Sequence, residues 1–287
     1  MRIFITLLFL SFGQISFGQI TSKLDSLTKI LEAVYARDQV PRIQIDSIEK
    51  KYGYTSNKVK EQWKLIAKND SVNIQTITSI IDNYSWLSAR QTSKTANAAL
   101  FLVIQHADLG IQEKYIETLK QAVGNGNAKP SEYAFLLDRV NMRQGKFQIY
   151  GSQLMVSTNG KSYFFPIKDE PNVNKKRKSI GLPPLQEVAL KSGFTYYLPV
   201  KDTIENKIVI TGFVLDINQN PLNDVSIKIG SRIIATTNAD GFYIAAIKKD
   251  LLKEQLNYIK TGYKISDPPL NNEGKEVYEY NILLTKK

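Results

Sequence analysis

Apolar positions recur at helical spacing as far as Gly145 and at every second position from Lys207 onward, so the chain divides into a helical part and a strand part. Leu24, Leu27, Ile30, Leu31 and Val34 form the first stripe, behind a cap at Ser22 with Asp25 three residues on. Pro41 has no N–H to give and predicts a disturbed or restarted helix. Short helices are expected around Ile45 and Ile48 and around Val59, Trp63 and Ile66; Asp70 or Ser71 then caps another, with the stripe Ile74, Ile77, Ile81 and Tyr84. Thr92 or Ser93 opens a central helix that Gly110 ends. Residues 98–104 are apolar on every side, the mark of a buried helix, before the chain delivers Gln105, His106 and Asp108. A return helix over 111–123 closes at Gly124, and Pro130 opens one over 131–142, on which Asp138 takes a half-covered face.

After Gly145 the period changes. Residues 147–156 and 162–167 read as a hairpin about Asn159-Gly160, followed by a basic loop, Gly181-Leu182-Pro183-Pro184 and a short helix near Leu185 and Val188. β-branched and aromatic runs then fall at 208–215, 225–229, 233–236, 242–247, 256–260 and 277–284, separated by turn residues. The expected architecture is multidomain: a mainly α-helical N-terminal domain with a small β-hairpin over 20–191, a linker over 192–206, and an all-β antiparallel sandwich over 207–287.

The first 19 residues change the picture of where this protein works. One positive charge at Arg2 precedes an apolar run that ends near Ser16-Phe17-Gly18, which predicts a signal peptide cut after Gly18 or Gln19. The run is interrupted at Gly13 and Gln14, well short of the roughly 20 residues of a spanning helix. No later run approaches that length, so no membrane span is expected after cleavage. Export to the periplasm or the extracellular space follows. The chain has no cysteine, which excludes disulfides, thiol catalysis and Cys-based metal sites. Its formal charge of +11 lies mostly before residue 206, and the densest run is Lys175-Lys176-Arg177-Lys178. No aromatic–basic nucleic-acid module accompanies it, so nucleic acid is not the expected partner.

His106 is the only histidine of the 287 residues. It is either a core imidazole satisfied by hydrogen bonds or the centre of a pocket, because an apolar helix ending in an amide, an imidazole and a carboxylate is costly unless those groups find partners. Read as a site, His106 is the general base and Asp138 or Asp108 orients it. Gln105, Arg139, Tyr150, Gln153 and Arg177 would bind a small polar or anionic ligand, with Trp86 as a wall unless it simply packs inward. One imidazole with no fixed ligand spacing argues against a metal, no cofactor is indicated, and no nucleophile elbow surrounds Ser152. The Gly124-Asn125-Gly126-Asn127 turn lacks the Lys and Ser/Thr of a phosphate loop. Three readings therefore stand: a ligand-binding domain around His106, an acid–base hydrolase using His106 with Asp138, and a structural or protein-interaction role.

Two groups of residues resemble known families. Asp38-Gln39 with Arg42, Asp70 and Asn73, Trp86, Gln105-His106-Ala107-Asp108, Asp138-Arg139-Val140, Gln148, Tyr150-Gly151-Ser152-Gln153, Pro166-Ile167 and Arg177 with Gly181-Leu182 resemble, in order over about 25–190, a bacterial domain of unknown function numbered 6624. The chain departs from that pattern at Ser85-Trp86-Leu87, Ser152 and Lys176. The resemblance implies no activity. Gly212-Phe213-Val214-Leu215-Asp216, Pro221-Leu222, Val225, Thr236-Thr237, Asp240-Gly241-Phe242-Tyr243 and Gly262-Tyr263 resemble the carboxypeptidase regulatory-like β-sandwich over about 207–285. That resemblance implies an accessory, non-catalytic module of secreted or surface proteins; an envelope protein or glycan is the partner expected for the sandwich.

Overall fold

The computed structural model describes residues 17–53, 56–202, 204–264 and 274–287; most of the expected signal peptide lies outside them. The chain forms two compact units, Met1–Ala107 and Asp108–Lys287. No helix among the described residues is long and apolar enough to cross a membrane.

The first unit is a three-helix bundle of α1 (Phe17–Tyr52), α2 (Asn57–Tyr84) and α3 (Lys94–His106). Helix α1 does not restart at Pro41. Proline leaves the Arg37 carbonyl without its helical donor, and Asn69 of α2 supplies one through Nδ2 at 3.1 Å. Gln62 Nε2 likewise donates to the Pro41 carbonyl at 2.7 Å. Tertiary hydrogen bonds thus carry α1 through the proline. Nor does a new helix begin at Asp70: α2 is continuous from its cap at Ser56, whose Oγ accepts from Val59 N. Asp70 is taken up by Arg42 instead.

The contacts Gln62–Pro41 and Asn69–Arg37 run in opposite senses along α1 and α2, making them antiparallel. Ser93–Glu32 and His106–Asp38 run in the same sense, so α1 and α3 are parallel. Leu31, Val34, Ile77, Ala99, Leu100 and Ile104 fill the interior. Ser93 caps α3 through its Oγ, as its position before the apolar run predicts. Helix α3 ends at His106, before Gly110, because the backbone is extended at Ala107 and Asp108.

The second unit begins with α4 (Leu109–Gly124) and α5 (Pro130–Arg143), joined through a turn at Gly126. Strands β1 (Leu154–Val156) and β2 (Ser162–Phe164) form the expected hairpin, shortened because 157–161 close it by Ser157 Oγ and Asn159 contacts. The basic run is not a loop: it lies on α6 (Val173–Ser179), followed by α7 (Leu185–Lys191).

The β region has strands β3 (Ile208–Asp216), β4 (Ser226–Ile229), β5 (Arg232–Thr236), β6 (Phe242–Ile247), β7 (Leu256–Ile259), β8 (Tyr263–Lys264), β9 (Val277–Glu279) and β10 (Ile282–Lys286). One sheet has the order β6-β3-β10-β8 with β9 also on β3, and the other β5-β4-β7. Their inner faces share a core that includes Ile210, Ile227, Tyr243, Tyr258 and Leu284. The first sheet is mixed, not purely antiparallel, since β9 and β10 both pair with β3 in parallel. The single run expected at 277–284 is split because Tyr280 bonds Thr211 through its backbone while Asn281 Oδ1 accepts from Phe213 N at 2.9 Å. Gly212 permits this crossing: a Cβ there would collide with the Tyr280 carbonyl. Phe147, Met155 and Phe165 pack with Val209, Phe213, Leu215 and Val277, so the expected linker over 192–206 lies within one compact unit.

Candidate functional site

The polar end of α3 meets α1. His106 Nδ1 is 3.1 Å from Asp38 Oδ1, and no described residue other than Asp38 is hydrogen-bonded to the ring. Asp38 is 1% exposed and His106 21%. An ionised carboxylate only accepts, so Nδ1 carries the proton in this contact, and Nε2 has no hydrogen-bond partner among the described residues. Burial pushes the Asp38 carboxyl up. The hydrogen bond and charge of His106, the Gln39 amide and the Arg42 guanidinium together outweigh it, and the group settles below the ordinary carboxylate value. Gln39 Nε2 donates to Asp38 Oδ2 at 2.6 Å.

One turn along α1, Arg42 Nη2 donates to Asp70 Oδ1 and Oδ2 at 2.9 and 3.0 Å and lies 3.8 Å from Asp38 Oδ1. A single carboxylate oxygen thus stands between an imidazole and a guanidinium. Arg42 Nη1 is buried without a hydrogen-bond partner among the described residues. Asp38, Asn73, Asn97 and Gln105 are buried polar side chains of this bundle, and of these Asp38 is the one hydrogen-bonded to His106.

Asp138 has a different occupation. It accepts from the backbone N–H groups of Ile149 at 2.7 Å, Tyr150 at 3.1 Å and Ser152 at 3.0 Å, which engages both carboxylate oxygens. Burial raises its pKa, and these bonds only partly oppose the rise. The carboxylate that orients His106 is therefore Asp38. Arg177, 2% exposed, donates Nε to Pro183 O at 2.6 Å and Nη1 to Tyr150 O at 2.7 Å. Gln148 spans the Gln153 backbone from both sides and also donates to Phe165 O, while Gln153 Nε2 donates to Ser152 Oγ. Asp138, Gln148, Tyr150, Gln153 and Arg177 are thus the hydrogen-bonded frame of the 148–153 loop, which approaches Leu185 through Gly151 in positive φ.

Asp108 is the N-cap of α4, accepting from Ile111 N at 2.9 Å, and not a partner that orients the histidine. Arg139 is half-buried on α5. Trp86 is buried, so it packs inward. Of the expected site residues, His106 is the one the structure joins to Asp38, and Gln105 is buried beside it in sequence. Asp38, Arg42, Asp70 and Asn73 were the residues missed as chemistry; the i,i+4 spacing of Asp38 with Arg42 was the available signal, masked by reading Asp70 as a cap. Among the described residues no group of three or more metal-ligating side chains is gathered.

The model of a family of unknown function, DUF6624, matches residues 25–201. The chain matches no curated protein and no solved structure.

Proposed function

Because the chain belongs to the DUF6624 family over 25–201, we propose that a purpose shared by the residues carrying that membership in the first unit, Asp38, Arg42 and His106, is to bind a small polar or anionic ligand. The observation that supports this most directly is the partly exposed imidazole held through one nitrogen by a buried carboxylate, which leaves its second nitrogen to a ligand. Arg42 adds a permanent positive charge 3.8 Å from the same carboxylate. The leader-like first 19 residues support export to the periplasm or beyond. The turn and core residues of the β region, which resemble the carboxypeptidase regulatory-like sandwich, support an accessory role for it, with an envelope protein or glycan as the partner it docks to.

The single histidine makes the site directly visible. In proton NMR of the exported chain, the His106 ring signals shift on titration with acetate or phosphate, and His106→Ala weakens binding about tenfold, the equivalent of one charged hydrogen bond. Equal binding by wild type and His106→Ala, measured by calorimetry, overturns the assignment. The Asp38–His106 geometry also favours a second reading, acid–base hydrolysis, in which Asp38 replaces Asp138 as the orienting group and Nε2 takes the proton. Turnover of an ester or amide panel that survives His106→Ala removes it.

A further inference from the structure

The β region leaves one strand edge open. Strand β6 ends its sheet and, among the described residues, pairs only with β3. Antiparallel pairing alternates between residues that exchange hydrogen bonds and residues that turn away from each other. The N–H of Val209 donates to Glu276 O and the C=O of Thr211 accepts from Tyr280 N, so both turn to the side of β9 and away from β6. Ala246 and Ile244, which stand opposite them, therefore turn their own N–H and C=O off the free edge. At Phe242 that edge is closed, because Asn238 N donates to its carbonyl at 3.0 Å and Asn238 Oδ1 accepts from its N–H at 3.1 Å. Strand β5 ends the other sheet, but its pairing with β4 shifts register between Ile227 and Lys228, whereas β6 is regular from Phe242 to Ile247. An unbroken edge is the better template for a further strand.

A groove of about 480 Å³ lies between β5 and β6, at the end remote from the turn that joins them. Ile233, Ile234 and Leu251 give it an apolar lining, and Ile233 is 56% exposed. Its charged residues are three cations, Lys207, Arg232 and Lys248, and a single acid, Asp250. The side chains of Arg232 and Lys248 hold no ion pair among the described residues. Resting on the docking role proposed for the β region, we infer that β6 takes up an extended, acidic segment of a partner protein as an added strand. The backbone of that segment bonds Ile244 and Ala246, its apolar side chains cover Ile233, and its carboxylates meet Arg232 and Lys248. A second copy of this chain would instead set like charges against each other. A glycan has no row of N–H and C=O groups to match the edge.

The test follows the backbone amides of the full chain by NMR during titration with a short blocked peptide of alternating Glu and Val, and with its Lys and Val counterpart. The acidic peptide moves the Ile244 and Ala246 signals and binds about tenfold more tightly than the basic one. Ala246→Pro removes an N–H that β3 does not use, so it weakens binding about tenfold while the melting temperature holds. Should that variant not fold, Arg232→Glu combined with Lys248→Glu turns the preference toward the basic peptide. Equal binding of the two peptides, or binding that neither variant alters, overturns the proposal and leaves the cations as guards of an edge. The same two signals moving on concentration of the chain alone make a second copy the occupant, and moving with polygalacturonate but not with the acidic peptide make it a glycan; either result overturns the proposal. So does the absence of any shift at Ile244 and Ala246. In that case shifts elsewhere in 207–287 keep a docking role for the β region, and shifts confined to 25–201 remove that role as well.

Discussion

At the scale of single residues, the Asp38 carboxylate decides what His106 can do. It is held ionised below the ordinary carboxylate range against the opposing effect of burial, so its contribution to stability is present above the unfolded-state value near 4 and is lost as pH falls through the lower folded value. Asp38→Asn removes that charge while keeping an oxygen for His106 Nδ1. We expect it to cost about 1–2 kcal/mol at neutral pH and to flatten the loss of stability on acidification below pH about 4. Urea unfolding across pH 2.5–7 (chosen to span about the carboxylate range) checks both; an unchanged acid limb would mean that Asp38 is not a charge the fold relies on. Asp138 shows the contrast. It too is buried, but its partners are backbone amides, which makes it an organiser of a loop.

At the scale of elements, α1 is a helix that its own sequence opposes and its neighbour restores. Pro41 removes the donor for the Arg37 carbonyl, and Asn69 of α2 replaces it. Asn69→Ala should destabilise the protein by about 1 kcal/mol. In Pro41→Ala the backbone donor returns, so the same Asn69→Ala change should cost much less, a coupling that a double-mutant cycle measures directly. Equal costs in the two backgrounds would show that Asn69 does not act through Arg37. Asp38 and Arg42 lie on either side of this proline, so the helix that carries the site depends on the one packed against it.

At the scale of the whole molecule, the unit boundaries differ from those that composition suggests. The turn-rich stretch near 192–206 looks like a linker, yet Phe147, Met155 and Phe165 before it share a core with Val209, Phe213, Leu215 and Val277 after it. A fragment of 207–287 would expose that apolar face. We expect 108–287 to unfold in one cooperative transition and 207–287 to be less stable and to bind a hydrophobic dye. A fragment of 207–287 as stable as the longer one would restore the linker as a true boundary.

What the sequence by itself determined are the features set by near neighbours. The 3.6 and 2 periods placed the helices and most strands, Ser93 capped α3 by accepting from the Ala96 N–H three residues on, Asn159-Gly160 turned the hairpin, and residues along 25–201 carried family membership. What only the tertiary structure decided are choices among distant partners. Asp38 and Asp138 are both acids on helices, and nothing local distinguishes the one that meets an imidazole 68 positions away from the one that gathers loop amides. Likewise the run at 277–284 has strand character throughout, but its division into β9 and β10 depends on how closely Tyr280 approaches Gly212. Local periodicity selects a conformation because it buries one face. Which polar groups that burial brings together is set by how the faces pack.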